Sequence, residues 1–202
     1  MKDTLDFYNN IYEKLFKKNY TKSTNRAKPA LRKFQEYIDN NNIKINKMID
    51  IGCAWGYTLE YWKNKGVKST GVDVSKKMVE KNKNRGFSCY FASATDLSIF
   101  KDKKFDLYMA TDVYEHLREK DLLDAIKEAK RITKKYLLIR PHNRLDKRGK
   151  INIKKALHLT VWSRSRWQNF FEENGLEIIN IGENEKTTYK NVFLMSINKN
   201  KI

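Results

Sequence analysis

A short β-branched stretch, Lys47-Met48-Ile49-Asp50-Ile51, runs without a break into Gly52-Cys53-Ala54-Trp55-Gly56 and then into an amphipathic run from Tyr57 to about Lys65. This alternation of short apolar runs with longer amphipathic ones continues along the chain, the pattern of an α/β fold built on a parallel sheet. Gly71-Val72-Asp73-Val74, Ser88–Ala92, Phe105–Ala110 and Tyr136–Arg140 read as further strands. Helices are expected from Pro29 to about Asp39, from a Ser75 cap to about Asn84, over Leu122–Arg131, and from a Ser163 cap to Glu173 with Gly175 as its stop. Leu5, Tyr8, Ile11, Tyr12 and Leu15 repeat at three- and four-residue spacing and read as an N-terminal helix. Leu176–Ile181 and Val192–Ile197 read as two final strands, antiparallel to each other.

The 202 residues suit one domain, with 1–40 as a helical cap and 141–162 as a basic, irregular insertion. No apolar run approaches the ~20 residues that a membrane span requires, and Met1–Tyr8 does not look like a secretory signal. Cys53 and Cys89 make neither a disulfide framework nor a zinc-ligand spacing, which fits a reducing cytoplasm. The formal charge of +18 raises the prospect of a polyanionic partner. Most of that excess is lysine spread through a chain rich in Asn and Ile, the bias that A/T-rich codons alone produce. Arginine is the sharper signal: Arg140, Arg144 and Arg148 cluster after the fifth strand, and a guanidinium fork suits phosphate or carboxylate.

The chemistry concentrates in the loop at 50–56. Gly52 and Gly56 let the backbone turn tightly and approach a ligand, and the following helix offers free N–H groups. Asp50 ends the first strand and Asp73 the second, at the carboxyl edge where open α/β sheets bind ligands. A carboxylate at Asp73 can accept both hydroxyls of an adenosine ribose. The spacing Gly-x-x-x-Gly, with Ala at 54, departs from the dinucleotide loop. Asp50 would repel a pyrophosphate but attract a sulfonium or an α-ammonium. An amino-acid-bearing cation therefore fits better than NAD.

With Met48–Gly56, Gly71–Ser75, Phe105–Leu117, Tyr136–Pro141 and Trp162–Leu176 in this order, the chain closely resembles the class I S-adenosylmethionine-dependent methyltransferase family. The resemblance implies a Rossmann-like, seven-stranded, mostly parallel sheet with an antiparallel last strand and helices on both faces. It implies S-adenosyl-L-methionine as cofactor, held at Asp50, Gly52, Cys53 and Gly56, with the ribose at Asp73 and Val74. Ser93 and Ala94 would lie along the adenine edge, and Thr111 and Asp112 would face the methyl group and substrate. Two positions depart from the family pattern: Ala54 stands where glycine is frequent, and Ser93 where aspartate is common.

Methyl transfer from a sulfonium is an in-line displacement, so the protein mainly positions the reactants and in some cases supplies a base. Of the three histidines, His142 and His158 are candidate bases beside Asp112, each with a structural reading as an alternative. His116, in Tyr-Glu-His-Leu, reads as a structural residue that fixes the loop after the fourth strand. Arg140, Arg144, Arg148 and Tyr12 are candidates for substrate binding, with a solvated basic loop as the alternative for the arginines and helix packing as the alternative for the N-terminal tyrosines. Trp162, Trp167, Phe170 and Phe171 read as core. No metal site of recognisable spacing is present. The expectation is an O- or N-methyltransferase acting on a polar, anionic or phosphorylated small molecule, such as a sugar or a precursor of cell-surface polysaccharide. The alternatives are RNA or protein methylation through the basic surface, and a non-catalytic cofactor-binding subunit.

Overall fold

The strand-then-helix alternation closes into one sheet of seven strands, seen in a computed structural model that describes residues 5–6, 9–10, 28–142, 158–179 and 191–197. The strands are β1 Lys47–Ile51, β2 Lys68–Asp73, β3 Ser88–Phe91, β4 Phe105–Thr111, β5 Thr133–Arg140, β6 Glu177–Ile179 and β7 Phe193–Ser196. Between them run α1 Lys28–Asn40, α2 Tyr57–Lys63, α3 Lys76–Asn84, α4 Glu119–Ile132 and α5 Arg164–Glu173, with a 3₁₀ turn at Tyr114–His116. Strand order is β3-β2-β1-β4-β5-β7-β6. The pairs β1–β2, β1–β4, β2–β3 and β4–β5 are parallel, and β7 is antiparallel to both β5 and β6. The sheet reverses its winding between β1 and β4, which is where an open α/β sheet leaves a crevice at its carboxyl edge.

Period-two alternation sorts the side chains of each central strand into two cores. Along β4, Tyr108 and Ala110 face one core, with Leu122, Ala125, Ile126 and Ala129 of α4 and Trp167 and Phe171 of α5. Leu107 and Met109 face the other, with Leu31 and Phe34 of α1, Leu59 and Trp62 of α2 and Val79 of α3. The helices therefore cover both faces. Trp162, Trp167 and Phe171 are buried and Phe170 packs against them, as the sequence pattern implies.

The expected caps form. The Ser75 hydroxyl accepts the Met78 N–H and the Ser163 hydroxyl accepts the Arg166 N–H, each supplying an acceptor to a free helix N-terminus. β5 begins at Thr133, three residues before the expected start, because Phe105 pairs with Thr133 ahead of a register shift in the β4–β5 ladder. Among the described residues, no helix is long and apolar enough to cross a membrane.

Gly71 shows how tightly the face beneath the first loop is packed. A Cβ there would meet Cys53 Sγ at 2.8 Å, Leu59 Cδ1 at 2.9 Å and Cys89 Sγ at 3.0 Å. Gly71→Ala is expected to destabilise the fold by about 1–3 kcal/mol through overpacking. The loss should appear as a lower urea midpoint at unchanged m-value.

Candidate active site

The loop after β1 is shaped by backbone that L-residues seldom adopt. Gly52 (φ +69°) and Gly56 (φ +73°) take the left-handed region, and so does Ala54 (φ 43°), at a steric cost that glycine would not carry. What holds Ala54 there is visible on both sides of its backbone. Its N–H donates to Asp73 Oδ2 at 2.8 Å, and its carbonyl accepts from Asn82 Nδ2 at 2.8 Å. Asp73 Oδ1 accepts the Ser75 N–H, also at 2.8 Å. One carboxylate thus ties the loop after β1 to the start of α3.

Asp50 and Asp73 are both buried at this edge. Burial, and then the nearby Asp73 charge, pushes the Asp50 carboxyl up to about 8 against a hydrogen bond from Thr58. Burial pushes Asp73 up to about 6, opposed by backbone N–H groups of Ala54, Ser75 and Val74. Two buried acids with few countercharges make this crevice receptive to a cation.

Other residues of the expected cofactor set take more specific places. The Cys53 thiol points into the core, 3.4 Å from Cys89 Sγ, while its N–H donates to the Val72 carbonyl and its carbonyl accepts the Gly56 N–H. Ser93 is buried, its hydroxyl 2.8 Å from Thr95 Oγ1. Ala94 is buried and Val74 half-buried. Arg85 donates to the Trp55 carbonyl, and the Lys81 ammonium lies 3.9 Å from the centre of the Trp55 ring. Asn9, in the described part of the N-terminal segment, accepts the Lys76 N–H at 3.2 Å and so reaches the same edge.

Beyond β4 the expected acceptor side takes shape. Thr111 pairs in register with Arg140, and Arg140 Nη2 donates to Asp112 Oδ2 at 2.6 Å. Asp112, itself at φ 57°, is a carboxylate already bound to a guanidinium. The pair engages the Asp112 carboxylate and the Arg140 guanidinium with each other. His116, His142 and His158 converge from three separate segments, with ring centres 5.0 Å apart for His116–His158 and for His142–His158. Arg144, Arg148, Tyr8, Tyr12 and Tyr20 lie outside the described residues.

Three positions escaped the sequence reading. Asn82 is a fully buried polar residue on the apolar side of α3, a signal that was present in the helical pattern. Val113 closes the gap between the two sides, for a Cβ on Gly52 would meet Val113 Cγ2 at 2.6 Å. Glu115 is fully buried beneath the histidines, its carboxyl raised to about 8 by burial and by the Asp112 charge. Its place beside His116 was plain, but nothing local announces its burial.

Known proteins share this fold. Residues 49–138 match the family model described as "Methyltransferase domain". The chain is 26% identical over 179 residues to the ubiquinone biosynthesis O-methyltransferase of Pelagibacter ubique (strain HTCC1062), covering 83% of this chain and 72% of that one. It superposes on a SAM-dependent methyltransferase from Archaeoglobus fulgidus with TM-score 0.65 and 20% identity, over 92% of this chain and 99% of that one. The PH0226 protein of Pyrococcus horikoshii OT3 gives TM-score 0.64 at 18% identity, over 86% and 91% of the two chains.

The raised acids have a measurable consequence. Between about pH 4, where an unfolded Asp titrates, and pH 8, the folded protein keeps the Asp50 proton that the unfolded chain has lost. Folding then takes up protons, and stability falls as the pH rises through that window. Asp50→Asn is expected to be more stable than the parent at pH 8 by about 1–3 kcal/mol, the order of the penalty for an uncompensated buried polar group. The difference should shrink towards pH 5, as read from urea unfolding at the two pH values.

Proposed function

We propose that the chain is a class I S-adenosylmethionine-dependent methyltransferase, and that it methylates an oxygen, or alternatively a nitrogen, of a small polar acceptor bound beside the turn after β4. The observation that carries this reading is a juxtaposition at one sheet edge. Buried Asp50 and Asp73 line the donor side, three histidines gather on the acceptor side, and Val113 abuts Gly52 between them. The Pelagibacter relative, an O-methyltransferase, supports oxygen as the first choice.

The donor side fits its cofactor by chemistry and by space. The backbone at Gly52 admits no Cβ, so it can lie against a ligand and against Val113 at once. S-adenosylmethionine, when bound, supplies a methyl group on a sulfonium cation. Asp50 gives up its proton and presents a negative charge to the cationic amino-acid end. Each Asp73 oxygen accepts one backbone N–H and keeps a lone pair for a ribose hydroxyl. Val74 flanks that ribose. Because the Ser93 hydroxyl is engaged by Thr95, we assign adenine recognition to the backbone of Ser93-Ala94.

On the acceptor side, Thr111 lines the approach, and Asp112 braces the turn through Arg140. His142 and His158 are the groups placed to receive a proton. An anionic or phosphorylated acceptor, such as a sugar or a precursor of cell-surface polysaccharide, is supported by the arginine cluster in the sequence. With Arg140 held by Asp112, Arg144 and Arg148 would have to meet that anion. Methylation of a bound nucleic acid receives less support from the described surface. A groove lined by Lys47, Lys63, Lys68 and Lys104 opens at the amino ends of β1, β2 and β4, away from the carboxyl edge.

S-adenosylhomocysteine titrated by calorimetry is expected to bind with net proton release. The release should be read from the dependence of the heat on buffer ionisation enthalpy, and affinity should rise with pH up to about 8 as Asp50 ionises. Asp73→Asn is expected to weaken binding about 10- to 100-fold, the worth of charge-assisted hydrogen bonds to the ribose. Absent binding, or an unchanged affinity in Asp73→Asn, would refute the donor site. Formation of S-adenosylhomocysteine across a panel of hydroxylated, amino and phosphorylated acceptors tests the acceptor class. Arg144→Ala and Arg148→Ala should raise KM for phosphorylated acceptors alone.

A further inference from the structure

Glu115, His116 and His158 meet although nothing in their spacing along the chain announces a site. One ligand atom from each residue, a carboxylate oxygen or an imidazole nitrogen, lies within 4.8 Å of the others. Donors around a first-row metal ion at ~2.1 Å stand about 3–3.5 Å apart, so small rotations of two half-buried imidazoles would complete the set. We propose that these three residues form a binding site for a divalent first-row transition-metal ion beside the cofactor loop.

The first support is the carboxylate. Glu115 is fully buried, and neither Oε1 nor Oε2 has a hydrogen-bond partner among the described residues. A buried carboxyl group with no partner is costly to ionise, and a bound cation would compensate the charge. The backbone N–H groups of Glu115 and His142 favour its charged form, but neither closes a full hydrogen bond to an oxygen.

The second support is the way His158 is held. The Leu159 and Thr160 N–H groups both donate to the Glu115 carbonyl, at 2.8 and 3.0 Å. The Thr160 hydroxyl donates to the Leu117 carbonyl at 2.6 Å. Three hydrogen bonds thus fasten the segment 158–160 onto the 114–117 turn and hold His158 against His116, ring centres 5.0 Å apart. Such bracing of ligand residues by their surroundings is what a metal site requires.

The donor set decides the metal class. Two imidazole nitrogens with one carboxylate oxygen favour Mn²⁺, Fe²⁺, Co²⁺ or Zn²⁺ over Mg²⁺ and Ca²⁺, which prefer oxygen alone. Three protein ligands leave positions open for water and for an acceptor atom. The site begins two residues after Val113, whose methyl group abuts Gly52 of the donor loop. There the ion would act as a Lewis acid, lowering the pKa of a coordinated acceptor hydroxyl whose proton passes to His142, His158 then being a ligand and not a base. That last role rests on the oxygen-acceptor reading above; the metal site itself does not.

The protein, stripped with a chelator and titrated with Co²⁺, is expected to take up one equivalent, with a visible ligand-field band and a rise in Tm. Glu115→Gln and His158→Asn should each weaken uptake about tenfold or more and abolish the Tm rise. Both variants should still bind S-adenosylhomocysteine, which attests their fold. No Co²⁺ uptake by the parent protein would overturn the site, as would equal uptake by both variants; Glu115 would then be a protonated acid or hydrated by a buried water. Should Co²⁺ bind as expected while chelation leaves methyl transfer unchanged, the Lewis-acid role falls and the site stands. Should methyl transfer to oxygen not occur at all, the acceptor reading fails independently of the metal.

Discussion

The carboxyl edge is organised around one carboxylate. Asp73 takes the Ala54 N–H on one oxygen and the Ser75 N–H on the other, bridging the loop after β1 and the cap of α3. Without that bridge, Ala54 would have little reason to stay in a left-handed conformation, and Asn82 would lose the carbonyl it holds from the opposite side. The loop path fixed in this way sets Gly52 against Val113 and thereby locates the turn that carries Glu115 and His116. Donor side and acceptor side are positioned from the same anchor.

Electrostatics at the edge follow one logic throughout. Asp50, Asp73 and Glu115 are buried acids whose charged forms are disfavoured by burial. Asp112, by contrast, sits next to them with its charge answered by Arg140. An edge poor in internal countercharge is stable while its acids stay protonated, and it gains when cations arrive from outside. Among the described residues, four lysines line a groove at the amino ends of the strands.

Much of the fold was legible because its signals are local. Ser75 and Ser163 as caps and Gly175 just past the end of α5 act within a few residues and appear where the pattern placed them, while β2 and β5 start three residues earlier than their apolar runs. The Asp50–Gly56 loop and Asp73 were legible for the same reason, since strand ends and glycine spacing are written in sequence. What the sequence could not convey depends on register and convergence. The Asp112–Arg140 pair exists only because Thr111 stands opposite Arg140 across a parallel ladder, and no local pattern encodes that alignment. The three histidines come from the turn after β4, the end of β5 and the segment before α5, so their meeting is a property of the closed fold. Cys53 falls between these cases: its backbone position was readable, while the direction of its thiol was not.

The contact between Val113 and Gly52 also limits how freely such a scaffold can be re-equipped. Proteins of this architecture invite the exchange of the segment after β4 as a cassette, to change what is accepted while keeping the donor loop. Here the cassette boundary cannot fall at Thr111, because Val113 fills the space that a side chain on Gly52 would occupy. A graft that starts before Val113 would disturb the donor loop along with the acceptor turn. One that starts after it would inherit the parent spacing between them.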